Sequence, residues 1–273
     1  MPEIKENVLE KLQSEPKNLW KRLLITAIII SVVVWGSQSV HYTGIAAKGS
    51  TIAGSIITGL LHPNWSLYTF TETGVPYLVL QTIAIAILGT IIGAILAIPF
   101  SFLSSTNIVP KGVAVVFRAI ILLIRTIPSL VWALIWIRVT GPGAFCGVVT
   151  QSICSIGMIS KMYITAIEDL DTGILDALDA MGCNTFEKIR CGILPQLSAG
   201  FISTAIYRFD INLKDATTLG IVGAGGIGFP IINYINSANW QNAGSFLWAL
   251  IFLVIVIEWC STKIRARLAH GKR

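Results

Sequence analysis

The sequence contains few charged residues, few histidines and no paired cysteines. Only 12% of the 273 residues are charged, about half the share found in soluble globular domains, whereas 54% are hydrophobic. The three histidines are scattered, and the five cysteines show neither metal-ligand nor disulfide spacing. The composition therefore excludes an ordinary soluble domain and is typical of an integral membrane protein without a metal site.

The sequence also lacks the motifs of nucleotide hydrolysis and of hydrolytic catalysis. It contains no Gly-x-x-x-x-Gly-Lys-Ser/Thr loop, no Ser/His/Asp arrangement and no His-Glu-x-x-His. The stretch Gly223-x-Gly-x-x-Gly228 matches the dinucleotide fingerprint, but it follows an apolar helix instead of a strand, and the next acid is Glu258. We interpret it as a helix break. If ATP drives this protein, another subunit must hydrolyse it.

Long apolar runs, each able to cross about 30 Å of hydrocarbon, predict six transmembrane helices. They are expected at about residues 23–40, 76–100, 113–139, 144–163, from 196 onward and 244–260. The third is interrupted at Arg125-Thr-Ile-Pro128, and Gly89 and Gly93 in the second permit close helix approach. Residues 45–61 are expected to form an external amphipathic helix, and residues 233–242 a polar loop.

The distribution of lysine and arginine predicts the orientation of the chain. With both termini cytoplasmic, fifteen of these residues lie in inner segments, whereas only Lys48 and Arg138 lie outside. The net charge of +6 therefore reflects membrane orientation and does not indicate nucleic-acid binding. Residues 1–22 are interpreted either as a helix on the membrane surface or as a solvated tail.

A polar segment, residues 171–195, separates the fourth and fifth spans and faces the cytoplasm in this orientation. Helical spacing relates three of its apolar residues, Ile174, Leu178 and Met181, and predicts a short helix that offers an apolar face to a partner outside the lipid. Gly182 allows a left-handed turn. Asn184 is expected to cap the next helix, with Glu187 completing a capping box.

This segment resembles the coupling motif of ABC importer permeases: Glu-Ala-Ala, three residues, Gly, nine residues, Ile-x-Leu-Pro. Asp176, Ala177 and Leu178 occupy the opening positions, Gly182 the glycine position, and Leu194 and Pro195 the end. Aspartate replaces glutamate, leucine replaces the second alanine, and Gly192 replaces isoleucine, which we expect to weaken one packing contact. The resemblance implies that an ATPase contacts Asp176, Ala177, Leu178, Met181, Gly182, Phe186, Leu194 and Pro195.

Longer stretches are similar to the phosphonate importer permeases. They are residues 125–135, 141–147, 156–158, 207–212 and 219–228, in order within 76–262. Asp210 stands where glutamate is common in that family, and the first 75 residues resemble it only in layout. The resemblance implies an all-α, type I ABC importer permease fold with six transmembrane helices, a cytoplasmic coupling helix and both termini inside.

The resemblance also implies the organisation and partners of the protein. Residues 1–75 would hold a cytoplasmic segment, the first span and the external segment. Residues 76–262 would form the transporter domain, with a coupling loop at about 168–195, and residues 263–273 a basic cytoplasmic tail. We expect a homodimer in a bacterial-type cell membrane, in contact with lipid, with no cofactor of its own. Two ATPase subunits would bind ATP and Mg, and an external phosphonate-binding protein would deliver phosphonate, phosphite or phosphate.

Three charged residues, one asparagine and three glycines in or beside the spans are candidates for the translocation pathway or gate. They are Arg125, Arg208, Asp210, Asn212, Gly223, Gly225 and Gly226. A charge inside the membrane costs several kcal/mol unless it is paired or wetted. Asp210 is spaced to pair with Lys214, four residues along. Arg125 and Arg208 each have two interpretations: lining a passage for an anion, or holding neighbouring helices together.

Three alternative functions differ in the sequence features that each of them predicts. A permease of the same architecture for a different small solute fits the coupling motif equally well. A secondary transporter would need inverted repeats, and a membrane-embedded enzyme or assembly factor would bring catalytic residues together at one depth. Neither pattern occurs in the sequence.

Overall fold

The computed structural model of the chain describes residues 19–40 and 48–270, in which helices and turns occur without any β-strand. The helices are α1 (Leu19–Ser39), α2 (Gly49–Leu61), α3 (Val75–Ser104), α4 (Lys111–Thr126), α5 (Ser129–Thr140), α6 (Ala144–Glu168), α7 (Thr172–Ala180), α8 (Thr185–Ile221), α9 (Gly228–Asn236) and α10 (Trp240–His270). The predicted all-α class is confirmed. The helix or tail expected at residues 1–22 lies mostly outside the described residues.

Five described helices, α1, α3, α6, α8 and α10, are long and apolar enough to cross a membrane. The bent pair α4 and α5 makes a sixth if the two helices form one span. The chain is therefore a multi-pass membrane protein, with five or six candidate spans among the described residues.

The interruption expected in the third span, residues 113–139, is confirmed, because α4 ends at Thr126 and α5 begins at Ser129. α4 and α5 meet at an angle of 88°. Ile127 between them is extended (φ −87°, ψ 121°) because the ring of Pro128 disfavours a helical conformation in the preceding residue. Proline also lacks the N–H that would continue the helix, so Pro128 becomes the residue before α5.

Three expected boundaries are corrected. α8 begins at Thr185 instead of near residue 196, and it passes through a π-helical turn at Lys188–Ile193. Residues 233–242 are not entirely loop, since α9 runs through Asn236. α10 continues past residue 260 through most of the basic tail.

The chain divides into two compact units between Ile52 and Ala53. α1 belongs to the first unit, and none of its residues is buried. In the second unit α3 packs along α6, and Gly89 and Gly93 lie against it so closely that a Cβ on either would overlap Gln151 or Ser155. The close approach predicted from this glycine spacing is confirmed. The largest buried cluster joins α3, α6 and α8, and consists of Ala97, Phe102, Ile159, Tyr163, Ile167, Ile193 and Phe201.

Candidate coupling and translocation sites

The coupling segment, residues 168–195, has the local structure that its sequence predicts. The Asp171 carboxylate accepts a hydrogen bond from the backbone N–H of Gly173 (2.9 Å) and caps α7. Gly182 has a φ of +78°, the left-handed conformation expected at this turn. Asn184 and Glu187 form the predicted capping box, with side-chain to backbone distances of 2.9 and 2.8 Å. The segment is therefore a helix, a turn and a second capped helix.

α7 folds back onto the start of α8. A Cβ on Gly192 would overlap the Cδ1 methyl of Leu178 and would lie 3.9 Å from Cγ2 of Ile174. The side chains of Lys188 and Asp179 form an ion pair across the same turn. Gly192 was expected to weaken one packing contact, and in the structure the larger side chain of Leu178 lies in the space beside it.

This packing partly covers the apolar face predicted for α7. Ile174 and Leu178 are half-buried against the start of α8, so only part of each side chain is accessible to a partner. Met181 is 69% exposed and Phe186 is 70% exposed. The outward apolar surface therefore comes mainly from the turn between α7 and α8 and from the first turn of α8.

The other predicted coupling residues also lie on the surface of the chain. Asp176 and Ala177 are exposed on α7, and Gly182 is exposed in the turn. Leu194 and Pro195 are exposed one to two helical turns further along α8. All of them are accessible, and their contact with an ATPase stays a prediction.

A cluster at the C-terminal end of α6, which the sequence analysis missed, precedes the coupling segment. The Glu168 carboxylate accepts hydrogen bonds from the backbone N–H (2.8 Å) and hydroxyl (2.6 Å) of Thr106, and it forms an ion pair with Arg118. Arg118 also donates from Nε to the carbonyl of Ser104 (2.8 Å). These contacts join α3, α4 and α6 at Glu168, the last residue of α6, and α7 begins four residues later. In the sequence, Arg118 and Glu168 are 50 residues apart, with no motif to connect them.

A polar network around Asn212 connects α3, α6 and α8. The Asn212 amide donates to the hydroxyls of Thr90 and Ser155, each at 2.8 Å. Gln151 donates to the backbone carbonyl of Asn212 (2.9 Å). All four side chains are buried. Asn212, predicted in the pathway, thus holds three helices together in the second unit, which a single sequence cannot show.

Arg208 is buried between α8 and α6, with 7% of its side chain exposed. It donates from Nε to the Ser155 hydroxyl (3.3 Å) and from Nη1 to the sulfur of Met158 (3.1 Å). Its Nη2 lies 3.7 Å from a carboxylate oxygen of Asp215. These contacts balance the charge of Arg208 and attach α8 to α6.

The predicted pair of Asp210 and Lys214 forms along α8, with 3.4 Å between the ammonium nitrogen and the carboxylate oxygen. Lys214 also lies 3.5 Å from the carboxylate of Glu258 on α10. The Asp210 side chain is only 9% exposed, whereas that of Lys214 is 45% exposed. The three charges therefore join α8 to α10.

Arg125 has a different environment. It is exposed near the end of α4, just before the break at Pro128, and a Cβ on Gly157 of α6 would approach its Cγ to 2.7 Å. The aliphatic part of Arg125 thus lies on α6 at a glycine. Within residues 19–40 and 48–270, no acidic group lies at ion-pair distance from its guanidinium.

The glycine run after α8 is a closely packed helix break, as predicted. Gly223, Gly225 and Gly226 have φ values of +92°, +82° and +75°, and a Cβ on Gly225 would approach the backbone of Ala144 to 2.7 Å. Backbone N–H groups of the run donate to side chains of α3, from Gly226 to Gln81 (2.8 Å) and from Ile227 to Thr82 (2.9 Å).

A cavity of about 590 Å³ opens beside this run. Its lining combines backbone with apolar and polar side chains: Glu72, Thr73, Leu78, Gln81, Pro142, Gly143, Gly223, Gly225, Gly226, Phe229, Pro230, Asn233 and Tyr234. All three glycines predicted in the pathway or gate therefore border an open space.

Residues 89–271 match the family of the binding-protein-dependent transport system inner membrane component. The chain belongs to this family. It is therefore a membrane permease subunit, as predicted, and not an enzyme. The match covers the coupling segment and every candidate pathway residue.

Among curated relatives of this permease, the phosphite transport system permease protein PtxC of Stutzerimonas stutzeri is 28% identical over 252 residues, 90% of this chain and 89% of PtxC. The phosphate-import permease protein PhnE of Mycolicibacterium smegmatis is 34% identical over 189 residues, 69% of this chain. This chain spans only 36% of the length of that PhnE. The putative phosphite transport system permease protein HtxC of S. stutzeri is 32% identical over 71% of this chain and 69% of HtxC.

The permease also resembles solved structures in fold. An inward-facing structure of the MetNI methionine ABC transporter has a chain that matches it with a TM-score of 0.63 and 22% identity, over 70% of this chain and 94% of that one. The expected fold of an ABC importer permease is confirmed at this level.

Proposed function

We propose that this permease translocates a phosphonate or a related phosphorus oxyanion, phosphite or phosphate, across the membrane in an ATP-driven importer. The observation that carries the proposal is the match to PtxC, a phosphite transport permease, along nine-tenths of both chains. The relatives PhnE and HtxC carry names for phosphate import and phosphite transport, and they match 69% and 71% of this chain.

The chain has no phosphate-binding loop of its own, so a separate ATPase would bind ATP and Mg. Met181 and Phe186, the exposed apolar residues at the turn of the coupling segment, suit a groove on that partner. One chain offers one such element, so two copies related by a two-fold axis would engage two ATPase subunits. The lysine and arginine distribution supports six spans with both termini cytoplasmic, in a bacterial-type cell membrane.

The cargo is tested on the complex with its partners. The cognate external binding protein is screened by thermal shift against phosphate, phosphite, hypophosphite and alkylphosphonates, and the anions that stabilise it are then offered to the permease complex in proteoliposomes. We expect ATP-dependent uptake of at least one of these anions. A binding protein that none of them stabilises, with uptake of an unrelated solute instead, would reassign the cargo within the same architecture.

Coupling is tested by co-purification and by one substitution. The solubilised permease is expected to bring down an ATPase subunit, and a permease that never does so is not part of an ABC importer. Gly182→Asp places a negative charge at the exposed turn beside Met181, and Gly182→Asn, with nearly the same shape, is its neutral control. We expect Asp to weaken ATPase binding and uptake more than Asn. Unaltered docking and uptake in Gly182→Asp would count against the coupling segment as the contact.

A further inference from the structure

We propose that Arg125 and Lys161 form the cationic lining along which the anion moves, and that Arg208 instead holds helices together. The inference rests on the proposed function, which supplies the anion. Its starting point is a difference in environment between Arg125 and Arg208, for which the sequence allowed the same two roles. Arg208 is buried and lies 3.7 Å from a carboxylate oxygen of Asp215, whereas Arg125 is exposed and has no such neighbour in the described part of the chain.

Lys161 provides a second exposed positive charge, on α6 close to the place where Arg125 packs. Arg125 lies against Gly157, and Lys161 is four residues further toward the C-terminal end, about 6 Å along the helix and on nearly the same face. Lys161 is exposed, and its ammonium group makes no ion pair with any residue in 19–40 or 48–270. Along α6, the point where Arg125 packs and the position of Lys161 are therefore about one helical turn apart, and neither cation has an acidic partner in the described residues.

The packing holds Arg125 in this place. Gly157 leaves room for the Arg125 side chain, since a Cβ there would approach Cγ of Arg125 to 2.7 Å and Cγ2 of Ile124 to 3.1 Å. The helix break behind it is supported by Trp132, whose indole N–H donates to the carbonyl of Ile124 (3.2 Å). The guanidinium therefore extends from a defined position, with its stem against α6.

An unpaired charge within the depth of the membrane is costly unless it faces water or an opposite charge. A wetted face with surplus positive charge attracts oxyanions, and the planar guanidinium fork matches two oxygens of a tetrahedral phosphorus oxyanion. Because both cations remain exposed, the contact guides the anion without enclosing it. Met158, which follows Gly157, contacts Arg208, whose charge Asp215 already balances. The surplus charge thus lies on Arg125 and Lys161.

The first experiment measures uptake in proteoliposomes that contain the permease, its ATPase and its binding protein. Arg125→Gln and Lys161→Gln are expected to lower oxyanion uptake about tenfold each, the size expected for a lost hydrogen bond to a charged group, while Arg125→Lys keeps most of it. Arg138→Gln is the matched control, because Arg138 is an exposed arginine on α5 outside this face. The affinity of the ATPase for the permease is expected to stay unchanged in all four variants.

The second experiment asks whether position 125 faces water. Arg125→Cys is treated with a methanethiosulfonate reagent carrying a trimethylammonium group, which restores a positive charge, or with its neutral methyl counterpart. Wild type with its five cysteines is treated in parallel. We expect labelling in the intact complex, and a recovery of uptake with the cationic reagent only.

The outcomes separate the two proposals. A wild-type complex that carries only uncharged or cationic solutes overturns the proposed cargo and this inference together. A complex that carries oxyanions equally well with and without Arg125 and Lys161 overturns this inference alone. The same holds if the cysteine at 125 is not labelled in the intact complex, or if Arg125→Gln weakens the assembly of two copies instead of uptake.

Discussion

Leu178 and Gly192 fit each other within the coupling segment: a Cβ on residue 192 would overlap the Leu178 Cδ1 methyl. Each residue departs from the pattern of the family, which has a small alanine at the first position and a bulky isoleucine at the second. We expect the two departures to compensate, since the large side chain lies on the other side of the same contact. The inward position of Leu178 follows from this contact.

Gly192→Ile and Leu178→Ala are each expected to destabilise the protein, the first by overlap and the second by a cavity. The double variant restores the usual family pair, so we expect a coupling energy of about 1–3 kcal/mol between the two positions. Thermal unfolding in detergent measures this. Gly200→Ile is the control, because a Cβ on Gly200 of α8 meets nothing within 4 Å. Purely additive effects would show that the two residues do not compensate.

Phe186→Ala is expected to weaken ATPase binding without changing the stability of the permease. The ring is 70% exposed, so its removal leaves no cavity in this chain, whereas a buried aromatic anchor at an interface contributes about 2 kcal/mol or more. Titration of the ATPase onto the solubilised permease measures the loss of affinity. Phe229→Ala, at an exposed phenylalanine of α9, serves as the control. Equal effects of both substitutions would argue against a specific contact at Phe186.

Arg208→Gln is expected to lower the stability of the permease by about 1–3 kcal/mol, because it leaves Asp215 without its ionic partner and removes hydrogen bonds to α6. Arg208→Gln combined with Asp215→Asn removes both charges and should recover part of the loss. Thermal unfolding gives the stability, and uptake per folded complex gives the function. Loss of uptake in a variant with unchanged stability would instead support the interpretation that Arg208 lines the passage for the anion.

Glu168→Gln is expected to loosen the junction between α6 and the coupling segment. The carboxylate accepts from Thr106 and pairs with Arg118, and both partners lie on the segment from the end of α3 to α4. ATP hydrolysis should then continue while uptake per ATP falls, because α7 no longer moves with α3 and α4. Arg118→Gln should give the same result, and adding it to Glu168→Gln should cost little more. An unchanged ratio of uptake to hydrolysis would contradict this role.

How far a sequence can predict this protein depends on how local each feature is. The left-handed turn at Gly182 and the capping box of Asn184 and Glu187 depend on neighbouring residues and were predictable. So was the interruption before Pro128, because a proline constrains the residue before it. The 88° angle between α4 and α5 was not predictable, since the direction of each helix depends on what it packs against.

The same distinction separates the charged residues within the membrane. The pair of Asp210 and Lys214 follows from a spacing of four residues on one helix. The difference between Arg208 and Arg125 does not, because the ion pair of Arg208 with Asp215 and its contacts with α6 require α8 and α6 to be placed side by side. Glu168 and Arg118 likewise meet only when α4 lies against α6.

The sequence by itself determined the membrane class, the candidate spans, the cytoplasmic placement predicted for the coupling segment and the resemblance to a permease family. These depend on hydrophobic runs, charge counts and short motifs, which are properties of contiguous residues. Only the tertiary structure decided that Leu178 faces Gly192, that Arg208 is balanced and that Arg125 is exposed. Such contacts join residues far apart in the chain, and their energies depend on burial and on the neighbours that each helix acquires.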